Sequence, residues 1–157
     1  MRKSARLLAA AFVAAALASP SAVGATPDGT ATVRFGNPEA GSPFPPPSGH
    51  DQSSNAKDNL IPRTVVISSG GSVTFEIDGF HQPAVYQAGT SPEDIAVPST
   101  GLFVNDANGR LALAPLNRPP ATSSFPMTFA EPGTYLVICN VRPHFALFNM
   151  YGWVVVK

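Results

Sequence analysis

The sequence predicts an all-β sandwich, and three observations carry the prediction. The apolar stretches are short and rich in Val, Ile and Phe, Gly and Pro punctuate them, and no long helical period or internal repeat runs through the chain. Residues 26–157 suffice for one domain and are too few for two.

The elements follow in order. Residues 30–35 alternate as a first strand should. Residues 36–59 read as a long loop with a proline-rich centre at 42–49, and loops of that length in a compact domain are functional or mobile. His50 lies in this loop beside Asp51, where nothing fixes its side chain, so a solvated residue is expected. Residues 62–68 and 72–77 flank Ser69, Gly70 and Gly71 and predict a hairpin. Val73, Phe75 and Ile77 share its buried face, and Thr74, Glu76 and Asp78 its wet one. Ser91, then Pro92, then the acidic Glu93 and Asp94 predict one short helix, with Ser91 as N-cap. Residues 102–104 and 111–113 flank the turn-like 105–109 and predict a second, small hairpin. Residues 125–129 form a strand that Glu131, Pro132 and Gly133 turn into the apolar run ending at Cys139, and a strand at 153–156 closes the chain.

The first residues read as an export signal. Arg2, Lys3 and Arg6 precede an apolar stretch at 7–18, and small residues at 23–25 place cleavage after Ala25, with Ala18 as second choice. The apolar stretch is too short to span a membrane, and no Cys follows it to carry a lipid anchor. The expected product is therefore residues 26–157, monomeric, periplasmic or secreted, with no stable membrane insertion once the signal 1–25 is removed. Three of the ten basic residues and none of the ten acidic ones lie in the signal, which leaves a net charge of about −3. With no basic stripe, nucleic acid is excluded as a partner.

Cys139 is the only cysteine, so an exported chain has no internal disulfide to form. An unpaired thiol in that setting implies intermolecular pairing, a reactive thiol or a metal. His144 and Met150 follow Cys139 on one tight loop between two strands, and thiol, imidazole and thioether form a soft ligand set that favours copper. A Cys with two His and a weak axial Met describes a blue-copper electron-transfer site, and the loop is one imidazole short. His81 lies just past a predicted strand end between Phe80 and Pro83, and supplies the candidate. Taken singly, each residue has a plain structural reading as core or surface; their short spacing and complementary chemistry favour the metal.

These residues resemble the cupredoxin family, the type 1 blue-copper proteins related to plastocyanin and azurin. The likeness rests on the glycine-turn strands, a His just after residues 73–77, the Pro132–Gly133 entry to Cys139, then His144, Met150 and a final strand. It implies a Greek-key β-sandwich with one short helix and long loops, one copper per chain, and His81, Cys139 and His144 as equatorial ligands. Gln82 stands where many members have an Asn that ties the two ligand loops together. The four residues between Cys139 and His144 are similar to azurins and rusticyanins. Five residues separate His144 from Met150, more than the family's usual three or four positions, so Met150 needs a one-residue bulge to serve as the axial ligand. Asn149, one residue nearer the usual register, is the alternative. By the same likeness Phe80, Phe145, Leu147 and Phe148 surround the metal, His144 is the electron port, and redox partner proteins dock near His144 and residues 145–148.

Catalysis is not expected. Multicopper oxidases and copper nitrite reductases flank the corresponding Cys with His, whereas here the flanks are Ile138 and Asn140. The chain has only His50, His81 and His144, too few for a second copper, and no carboxylate stands ready to orient a Cys–His nucleophile. The expected function is single-electron transfer between proteins. Copper carriage or storage with the same ligands is the alternative, and a metal-free interaction module a third.

Overall fold

The computed structural model describes residues 28–36 and 59–157; the expected signal segment and most of the expected proline-rich loop, His50 included, lie outside the described residues. Eight strands run in chain order: β1 (Asp28–Phe35), β2 (Leu60–Ile61), β3 (Thr64–Asp78), β4 (Pro83–Ala88), β5 (Arg110–Leu113), β6 (Thr122–Thr128), β7 (Gly133–Cys139) and β8 (Tyr151–Val156). A single turn of α-helix, α1 (Arg142–Ala146), interrupts the passage from β7 to β8. The strand order β2-β1-β3-β8-β7-β4-β5, with β6 also on β3, folds as an all-β Greek-key sandwich.

β3 joins the two layers. Its first part pairs in parallel with β8 (Val65 opposite Val154), and its second part lies between β1, in parallel, and antiparallel β6. The expected hairpin over 62–77 is therefore one continuous strand of 15 residues. Ser69, Gly70 and Gly71 make a corner and no reversal. Ser69 N donates to Lys157 O, Gly70 N to Phe129 O, and Gly71 O accepts from Phe129 N, so the corner is bonded to other chain segments. A glycine pair marks a sharp bend in a strand as readily as a hairpin turn, and here it lets β3 cross between layers. The expected alternation is present: Val73, Phe75 and Ile77 are buried, and Thr74, Glu76 and Asp78 are not.

The second expected hairpin is also absent. Residues 110–113 pair with β4 (Ala84 opposite Leu113), while Phe103 faces Val141 in an isolated antiparallel bridge. The intervening turn is held by Asp106, whose carboxylate accepts from the N–H groups of Asn108 and Ala96, so its arms go to different partners. At the predicted helix the chain makes only a 3₁₀ turn, Pro92–Asp94. Ser91 N and Oγ both donate to the Asp94 carboxylate and hold it below the ordinary carboxylate range. The short α-helix sits instead at α1, with Pro143 in its first turn.

Two apolar clusters flank β7. Tyr135, Val137 and Cys139 face the main core with Phe35, Ile67, Phe75 and Val154. Leu136 and Ile138 face a second cluster with Tyr86, Ile95, Val104 and Phe145. A strand buried on both faces reads as a continuous apolar run, which is why residues 135–139 show no alternation.

Candidate metal centre

Three side chains, His81, Cys139 and His144, meet at one end of the sandwich, and a fourth residue, Met150, packs in the same core as Cys139. His81 follows β3, Cys139 is the last residue of β7, His144 lies in α1, and Met150 immediately precedes β8. His81, Cys139 and Met150 are buried, and His144 is half-buried. Both imidazoles turn Nδ1 inward. Cys139 Sγ lies 3.7 Å from each Nδ1, and the two Nδ1 atoms are 3.0 Å apart. The centre of such a triangle is about 2 Å from every corner, close to the ~2.0–2.1 Å of a metal–imidazole bond and slightly inside the ~2.3 Å of a metal–thiolate bond. Two nitrogens, one sulfur and this spacing fit a single transition-metal ion; the three residues are the one such group found among the described residues.

Met150 is fixed by its backbone. Its N–H donates to His144 O and its carbonyl accepts from Cys139 N, both at 2.9 Å. Its side chain shares the main core with Cys139. The preceding residue, Asn149, has φ 51° and an exposed side chain. Arg63, stacked 4.9 Å above the Tyr151 ring, donates to Asn149 O. Partial burial draws the Arg63 guanidinium below its ordinary pKa, with Tyr151 acting in the opposite sense.

The surround holds the donors still. Pro83 and Cys139 are opposite one another in the β4–β7 ladder, so the two ligand loops leave the sheet side by side. Gln82 Oε1 accepts from Asn140 Nδ2, and its Nε2 donates to Ala114 O, which makes Gln82 the tie between the loops expected of that position. Asn117, buried and not singled out in the sequence, donates to Gly79 O and Ala121 O, while its own N–H bonds His81 O. Only its place in the fold reveals it. Of the expected apolar surround, Phe80 is half-buried and Phe148 is half-buried with its ring 6.2 Å from His144. Phe145 packs into the second core, and Leu147 is 69% exposed, so these two turn away from the donors.

No protein-family model matches the chain, and no curated protein matches it in sequence. Solved structures do. The dithionite-reduced auracyanin of Roseiflexus castenholzii aligns over 83% of this chain and 98% of its own, at 14% identity and a TM-score of 0.53. The azurin Az-iso2 of Methylomonas sp. strain J aligns over 82% of this chain and 97% of its own, at 14% identity and a TM-score of 0.51. The chain has the cupredoxin fold.

Proposed function

We propose that the chain is an exported mononuclear blue-copper protein that passes single electrons between redox partner proteins. The observation that carries this reading is the approach of two inward-turned imidazole nitrogens to one buried thiol, within a fold whose strand ends hold them side by side. His81, Cys139 and His144 hold the ion, and Met150 supplies the axial thioether. Burial of Met150 against exposure of Asn149 supports the thioether over the amide. Bound there, copper supplies a one-electron couple. The chain's own part is to keep the donors fixed, exclude water from the sulfur and leave one edge accessible. His81, Cys139 and Met150 are at most 2% exposed, so half-buried His144 is the port, and Leu147 beside it is the apolar contact for a partner. Export rests on the amino-terminal signal pattern; among the described residues no helix is long and apolar enough to cross a membrane. No catalytic role is assigned.

Cyclic voltammetry of the copper-loaded chain tests the reading. A reversible one-electron wave is expected. Stoichiometric copper without such a wave would overturn electron transfer and leave carriage or storage of the ion.

A further inference from the structure

Asn140, the residue after Cys139, is fully buried, and its polar groups are bonded on two sides. Toward the His81 loop, its N–H donates to Gln82 O at 2.7 Å, beside the side-chain bond to Gln82 already described. On the opposite side its carbonyl accepts from Val104 N at 2.8 Å, and its Oδ1 accepts from Asn105 N at 2.9 Å. Its Nδ2 also reaches Asn105 Oδ1 at 3.3 Å, so the two asparagines bond reciprocally. The contact continues along the ligand loop: Arg142 N donates to Leu102 O at 2.8 Å, and Arg142 Nε to Gly101 O at 2.7 Å. Phe103 faces Val141 between these bonds.

We infer that residues 101–105 are a second tether on the end of β7, with Asn105 as its positioning residue, so that Cys139 is held between two loops. Asn105 has φ 54° although its side chain is exposed, so packing does not account for an asparagine there. Asn is among the few residues that tolerate this backbone, and here its amide oxygen meets Asn140 Nδ2. The bonds fix the residue adjoining the thiol, and outer contacts of this kind set both the orientation of a ligand and the hold on its metal. The inference rests on the copper reading above.

Asn105→Gly tests the effect, because glycine keeps the left-handed backbone and the N–H donor to Asn140 Oδ1 and removes the side chain whose Oδ1 accepts from Asn140 Nδ2. Asn105→Asp restores an acceptor at the same place, and its charge is exposed to solvent. In copper-loaded Asn105→Gly, the sulfur-to-copper absorption band should move, and loss of copper to a chelator should quicken by about fivefold, the factor one net hydrogen bond is worth. Asn105→Asp should return both readouts toward wild type. Gly70→Ala serves as the control, since the Gly70 corner is bonded to Phe129 beside the end of β7 opposite Cys139, and the strained alanine should lower stability while leaving band and release rate alone. An unmoved band and release rate in Asn105→Gly, or an equal shift in Gly70→Ala, overturns the tether while the copper reading stands. A wild-type chain that takes up no copper overturns both.

Discussion

Asn149 and Met150 are adjacent and differently placed, the first exposed and the second buried. Asn149 takes the left-handed conformation between α1 and β8, within the His144–Met150 stretch where an axial Met150 would need one extra residue. Its carbonyl is pinned by Arg63 and by Tyr151 N, while Met150 N bonds His144 O. The amide of Asn149 is left at the surface, and the thioether is turned into the core. Met150→Leu should therefore keep the protein blue, since leucine fills a similar volume at a cost under about 1.5 kcal/mol. It should raise the reduction potential, because a weak donor to copper(II) is lost. Asn149→Ala should leave the potential near wild type; a large potential change there, with none in Met150→Leu, would reverse the assignment. The convergence of His81, Cys139 and His144 was legible in the sequence because soft ligands are rare and their loop is short. Asn117, Asn140 and Asn105 were not, since an asparagine's role depends on which carbonyl it meets after folding.

Strands announced themselves where one face is wet, as in the second part of β3, or where both faces are buried, as in β7. Their partners did not. The Gly70–Gly71 corner and the 105–109 turn both carry local hairpin signals, yet long-range pairing with β8, β1, β4 and the ligand loop decides the topology. Local chemistry fixes a bend, and the neighbouring chain decides whether the bend reverses. Two glycines at strand bends allow a graded test. Gly70 has φ +80° with open space where a Cβ would stand, so Gly70→Ala should cost only the backbone strain, about 1–2 kcal/mol. Gly36 has φ +87°, and a Cβ there would lie 2.2 Å from Asp78 O and 3.2 Å from His81 Nε2. Gly36→Ala should cost about 1–3 kcal/mol more than Gly70→Ala, measured by urea unfolding of the copper-free chain. Equal costs for the two would mean that the end of β1 does not press on the His81 loop.

At the scale of the whole molecule, the sandwich buries three of the four proposed ligands at one end and leaves the fourth, His144, beside an exposed leucine. Phe145 anchors α1 in the second core, so Leu147 can stand in solvent without loosening the donors. A charge at that position should disturb contact and leave coordination intact. Leu147→Lys is expected to slow electron self-exchange, read by line broadening in mixtures of reduced and oxidised protein, with an unchanged absorption spectrum. A lost spectrum would make Leu147 part of the site's support, and an unchanged exchange rate would move the docking face elsewhere. The central claim is that one thiolate and two imidazoles hold one copper, and the most direct measurement is a copper(II) titration of the purified chain followed by visible absorption. The account predicts an intense blue band that saturates at one copper per chain and is absent from Cys139→Ser, which has no other cysteine sulfur to bind the metal. A colourless wild type at saturation, or a Cys139→Ser protein that turns equally blue, would contradict it.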